Sequence, residues 1–285
     1  MRKIMLIAAG LLMTSVGIAQ VKTPAPSPKA IVTQTVGLTD VTLEYSRPSA
    51  KGRAVFGDLV PFGRMWRTGA NQNSMITFSD DVKIDGQKIA KGTYAIFVTP
   101  KADTWEVVFY NDTQNWGLPA KWDDAKVVAK TNVKPITLGQ NVESFTLAIN
   151  HLSNDAAHLE ISWEKTMVAV KIEVPTQDLA MSSIEKALKG PTYSDYFSAA
   201  QYFYSANLNN AKALEYVNKA VDMVVAEKGE APFWYLRLQS LVQARSGDKK
   251  KAIETAKASL AAAEKAGNAD YTKMNKDSIA EWSKK

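Results

Sequence analysis

The chain has 285 residues, 46% of them hydrophobic and 22% charged, a balance that excludes wholesale disorder and allows two domains with separate cores. It contains no cysteine, which excludes disulfides, zinc–thiolate sites and thiol catalysis together. The formal charge of +6 is dispersed: residues 30–176 hold 15 Lys+Arg against 16 Asp+Glu, and residues 177–285 hold 16 against 13. Neither balance, −1 and +3, suggests a basic face, so no nucleic-acid partner is expected.

At the start, Arg2 and Lys3 precede an apolar run over residues 4–12, and small residues lead to Gly17-Ile18-Ala19-Gln20. A basic start, a hydrophobic run too short to span a bilayer and small residues at the cut predict a signal peptide over residues 1–19. The expected location is therefore periplasmic or secreted. No later stretch reaches the ~18 apolar residues of a membrane helix, so no transmembrane segment is expected in the mature chain. Pro24, Pro26 and Pro28 mark residues 20–29 as an extended tether.

Residues 30–175 read as a mainly β domain, an antiparallel sandwich or barrel. Alternation of period two runs through 41–45, 75–78 and 105–110, and residues 92–100 are rich in β-branched and aromatic side chains. Asp85-Gly86 between two short runs is a hairpin signal. Further runs at 145–150, 159–163 and 167–174 complete at least eight strands, with a helical interruption expected only near 120–125.

Between these runs lies a Gly- and Pro-rich segment, Ser46 to Asn71, that should be a long ordered loop. It contains all four arginines of the β domain: Arg47, Arg53, Arg64 and Arg67. Guanidinium forks grip carboxylates, phosphates or carbonyls and stack on aromatic rings. Beside Phe56, Phe62 and Trp66, two roles are open. The arginines line a pocket for an anionic or carbohydrate group, or they tie the loop to carbonyls and to Glu44, Asp80 or Asp81. The candidate binding set is Arg47, Lys51, Arg53, Arg64, Trp66, Arg67, Asn71 and Trp116. Trp116 joins it because it follows Asn111, Gln114 and Asn115 and precedes Gly117, a polar-aromatic loop suited to a sugar face.

His151 and His158 flank a short turn. With Asn154-Asp155 at its tip they would be direct cross-strand neighbours, ~5 Å apart at Cβ. Two ligands alone bind a metal weakly, so neither a metal nor any cofactor is assigned. No G-x-S-x-G elbow, H-E-x-x-H, phosphate-cradling glycine loop or nucleotide fingerprint occurs.

Residues 176–285 switch to helical spacing. Ser182-Ser183-Ile184-Glu185 reads as a capping box opening a helix, and Leu214, Val217, Val221 and Val224 recur at steps of three and four. Two helix pairs, 196–204 with 210–224 and 234–244 with 249–263, superpose at an offset of 39 residues. The second resembles a tetratricopeptide repeat in Gly247-Asp248, Ala252-Ile253 and Leu260. It departs from that pattern at Ser240 and Gln243, and its offset exceeds the usual ~34. The alternative is a plain helix bundle.

Tyr45-Ser46-Arg47-Pro48, Lys51-Gly52-Arg53, Phe56-Gly57, Val60-Pro61-Phe62-Gly63 and Trp66-Arg67-Thr68-Gly69-Ala70-Asn71 resemble the exported family known as domain of unknown function 2911. Gly92-Thr93-Tyr94, Trp105, Trp116-Gly117 and Trp163-Glu164-Lys165-Thr166 extend that resemblance over residues 30–174. It implies an exported β-sandwich-like domain and no assigned activity. Where the family pattern places an acidic residue after the Asn, this chain has Gln72-Asn73-Ser74, so carboxylate chemistry is not expected there.

The expected function is that of an exported binding protein. Its β domain would take an anionic or carbohydrate group, and its helices would present a concave surface to a protein partner. The rival is a hydrolase or lyase acting on a carbohydrate or peptide, with Arg47, Arg53 and Arg67 stabilising charge and His151 as the acid–base group.

Overall fold

The computed structural model describes residues 23–284; the expected signal peptide and residues 20–22 of the tether lie outside them. The chain divides into two compact units, meeting in sequence at Val174 and Pro175.

Among the described residues the first unit contains ten strands: β1 Lys29–Val36, β2 Thr39–Ser46, β3 Met75–Phe78, β4 Val82–Ile84, β5 Gln87–Ile89, β6 Gly92–Thr99, β7 Trp105–Tyr110, β8 Val127–Val133, β9 Ile136–Asn150 and β10 Ala156–Glu173. They form two antiparallel sheets, of order β1-β2-β3-β6-β7-β8 and β5-β4-β10-β9. Alternation sends Val41, Leu43 and Tyr45 of β2 inward, where they share a core with Phe145 and Leu147 of β9 and Leu159, Ile161 and Trp163 of β10. Each such side chain contributes about 1.5–3 kcal/mol on burial. β6 is covered on both faces. Tyr94, Ile96 and Val98 face the shared core, while Ala95 and Phe97 pack with Val108 and Tyr110 beneath Met65 and Trp122.

Asp85 and Gly86, both at positive φ, join β4 to β5 as the hairpin expected from sequence. Two expectations change. The runs at 159–163 and 167–174 belong to one 18-residue strand, β10, because the chain bulges at Glu164 (φ 53°) and continues. Near 120–125 there is only a 3₁₀ turn, Asp124–Lys126, capped by the Asp123 carboxylate.

The second unit has six helices among the described residues: α1 Thr176–Ala187, α2 Tyr193–Ser205, α3 Asn210–Lys228, α4 Phe233–Arg245, α5 Lys249–Lys265 and α6 Ala269–Trp282. Asn209, Asp248 and Asn268 cap α3, α5 and α6 by accepting from the amide three residues on. Small residues permit close helix packing: Ala200, Ala213, Ala220, Ala252, Ala256, Ser259 and Ala263 are all fully buried. Consecutive helices from α2 to α6 pack together, and α4 also meets α2 and α6. The expected capping box at Ser182 is not a helix start: α1 already begins at Thr176, directly after Pro175, so both serines lie mid-helix. The capping box is instead Thr192 with Asp195, opening α2.

Candidate functional site

Leaving β2 at Ser46, the chain crosses from one sheet to the other. The Ala50 amide donates to Glu143 O at 2.8 Å, and the Phe145 amide donates to Pro48 O at 2.9 Å. Residues 48–50 thus cover the edge of β9. Arg47 secures the crossing: its Nε donates to Phe145 O at 3.0 Å and its Nη2 to Thr146 Oγ1 at 2.8 Å. Arg53 does the same for the next turn, donating from Nε to Ala50 O at 2.8 Å and from Nη2 to Ser49 O at 2.7 Å. Arg47 thus ties the loop to β9 and Arg53 serves the loop's own carbonyls, as irregular backbone requires.

The carboxylates expected to hold them do other work. Glu44 pairs with Lys29, Asp80 accepts from the Ser79 hydroxyl, and Asp81 accepts from the Lys91 amide. Glu143 and Glu164 accept the backbone amides of Lys51 and Val55. Among the described residues, no carboxylate pairs with Arg47, Lys51, Arg53, Arg64 or Arg67.

The loop rejoins the first sheet at Trp66, which exchanges both backbone bonds with Val98 at 2.7 and 3.0 Å. It then folds tightly, with Thr68, Gly69 and Asn71 at φ of 58°, 142° and 61°. A Cβ on Gly69 would stand 3.0 Å from Ser46 O and 3.1 Å from Ser74 Oγ, so only glycine fits. Trp66 Nε1 donates to Gly69 O, and Ser74 Oγ donates to Thr68 O. Asn71 Nδ2 reaches Ser27 O at 3.4 Å and Ser46 Oγ at 3.3 Å, which holds the end of the tether against the loop.

A cleft of about 440 Å³ opens between these parts. Its cations are Lys51, Arg53 and Arg67; its aromatic wall is Trp66 and Trp163, stacked with ring centres 6.0 Å apart. Pro26, Pro48, Leu59 and Val60 add apolar surface, and among the described residues no carboxylate or histidine lines it. Arg67 differs from Arg47 and Arg53. Its Nε is buried without a partner, and none of its guanidinium nitrogens has a hydrogen bond or ion pair among the described residues. Leaving a buried charged donor unpaired costs on the order of 1–3 kcal/mol.

The loop before η1, the 3₁₀ turn, stands on the other side of Arg67. The Asn73 amide donates to Asn115 O, the Asn115 amide donates to Asn73 Oδ1, and Gln72 Nε2 donates to Thr113 O. Asp112 organises this loop by accepting from Lys126 Nζ, the Gln114 amide and Asn115 Nδ2. The Lys126 hydrogen bond, helped by the Gln114 amide, holds the Asp112 carboxyl below its ordinary range.

Of the candidate residues, the cleft gathers Lys51, Arg53, Trp66 and Arg67. Arg47 and Asn71 brace its walls. Arg64 is exposed and apart from it, and Trp116 lies outside the lining, 77% exposed. Sequence spacing missed Trp163, Asp112 and the tether wall at Pro26 and Ser27, none of which neighbours the arginines along the chain. The histidines do not join the cleft. The pairing is Asn150 with His158, one residue off the expected register, because His151 leaves the strand at φ 52°. The rings still meet at 5.4 Å, and His151 Nε2 lies 3.3 Å from Glu160 Oε1. Among the described residues, no group of three or more His, Asp or Glu could hold a metal ion, and no helix is long and apolar enough to cross a membrane.

These features define an antiparallel two-sheet domain whose long arginine-bearing loop frames a carboxylate-free cleft. The chain belongs to the family described as Protein of unknown function (DUF2911), whose model matches residues 27–172. No curated protein and no solved structure matches the chain.

Proposed function

We propose that this is an exported binding protein whose β unit captures a small anionic or carbohydrate-bearing group in the cleft. The observation that carries the reading is the state of Arg67, a guanidinium that lines the cleft beside Lys51 and Arg53 with no carboxylate there and no hydrogen bond or ion pair among the described residues. An incoming anion supplies the acceptor that the fold leaves out. Export is supported by the basic start, short apolar run and Ala19 cut. The helical unit is read as tetratricopeptide-like, supported by its recurring helix pairs and by α4 meeting α2 and α6. Such a layer offers a surface for a protein partner.

The test is thermal unfolding of the wild type and Arg67→Met with inorganic phosphate and with galacturonate. A probe at 100 times its dissociation constant stabilises the wild type by about 2.7 kcal/mol. Arg67→Met is expected to lose that gain. Equal gains in both proteins, or none in the wild type, contradict the reading.

A further inference from the structure

We infer that the ligand is an acidic oligosaccharide that extends from the cleft across Arg67 onto Trp116, making Trp116 a second subsite. This rests on the cleft being an anion site. Arg67 links the two places: it lines the cleft, and its Nη1 lies 3.1 Å from where a Cβ on Gly117 would stand. The glycine lets the guanidinium lie directly beneath the loop that carries the next residue back, Trp116. That indole is 77% exposed and makes no ring contact among the described residues.

An indole left in solvent usually tips a flexible loop or packs at an interface. Here the loop is anchored from both sides. Asn73 and Gln72 hold Asn115 and Thr113, and Asp112 and Lys126 hold the loop base at 2.7 Å. An exposed aromatic plane on a fixed loop beside a free cation presents two complementary surfaces at adjacent positions. The guanidinium takes a carboxylate as a fork, and the indole takes the flat C–H face of a ring. Within the cleft, Trp66 and Trp163 offer a similar apolar wall to the ring that bears the carboxylate. A chain of uronic-acid rings matches both, whereas a bare phosphate matches only the cation.

The test is calorimetric titration of the wild type, Trp116→Ala and Arg67→Met with inorganic phosphate, galacturonate and trigalacturonate. In the wild type, trigalacturonate is expected to bind about tenfold more tightly than galacturonate, roughly one stacking contact. Trp116→Ala removes that gain and leaves galacturonate within about twofold; Arg67→Met weakens all three. Because a trimer offers the cleft more than one end, the Trp116→Ala comparison decides the matter. A trimer gain that survives Trp116→Ala, or no gain in the wild type, overturns the second subsite while the anion cleft stands. Phosphate binding as tightly as galacturonate overturns the sugar class alone. Failure of all three probes to bind the wild type overturns the anion cleft and this extension together.

Discussion

The two ends of the arginine segment use the same side chain in opposite ways. At the near end, Arg47 and Arg53 spend their forks on four acceptors within the fold. At the far end, Arg67 sits in a turn with three residues at positive φ and meets none. Strain and an unpaired buried donor each cost about 1–3 kcal/mol. Positive φ occurs at both ends, at Lys51 as well as at Thr68 and Asn71, so the unpaired buried donor, found at Arg67 and not at Arg47 or Arg53, is what marks the far end as the part shaped for something outside the fold. A cluster of cations is therefore not one feature; the acceptors around each fork separate scaffold from site.

The comparison can be broken by substitution. Gly69→Ala should have the largest effect on stability, about 3 kcal/mol, because its Cβ meets Ser46 O and its φ disfavours any other residue; urea unfolding measures it. Arg47→Met should cost about 2–3 kcal/mol in the same assay, since it removes two charge-assisted bonds across the sheet-to-sheet crossing. Arg53 is exposed and its acceptors can turn to water, so Arg53→Met should cost about 1 kcal/mol. Arg67→Met should lie within about 1 kcal/mol of the wild type, on either side, because no bond is lost with it. A large loss there would show that Arg67 belongs with Arg47.

The smallest effect concerns the loop beside the cleft. Asp112 has a folded pKa below its unfolded value of ~3.9, chiefly through Lys126. Its contribution is therefore present above that value and is lost as pH falls through the lower folded pKa. Asp112→Asn should mimic the loss at neutral pH, seen as faster hydrogen exchange at the amides of residues 113–117. Unchanged exchange would mean that the Asn73–Asn115 pairing alone fixes the loop.

Much of the fold could be read from residues. The runs at 75–78 and 105–110 are β3 and β7 to the residue: β3 alternates against one buried face, while β7 is buried on both faces from Val107 to Tyr110. Asp85-Gly86 is a local turn rule and held. What failed depended on distant partners. β10 reads as two strands because Glu164 adopts a left-handed conformation, yet its bulge is held within the ladder to β9. Ser182-Ser183-Ile184-Glu185 has the spacing of a cap, but the helix was already under way from Thr176. In the site, the arginine segment stood out by composition, whereas the split between its ends did not. Arg53 is filled locally by Ser49 and Ala50, but Arg47 is filled by Phe145 and Thr146, about a hundred positions along the chain, and composition carries no record of that.

The claim that Arg67 is held free for an external anion is tested most directly by unfolding free energies of the wild type, Arg47→Met and Arg67→Met, each with and without galacturonate. The account predicts that Arg47→Met lowers stability yet keeps the ligand-induced gain, while Arg67→Met keeps stability and loses that gain. The reverse pattern, with Arg67→Met unstable and still stabilised by ligand, would contradict it.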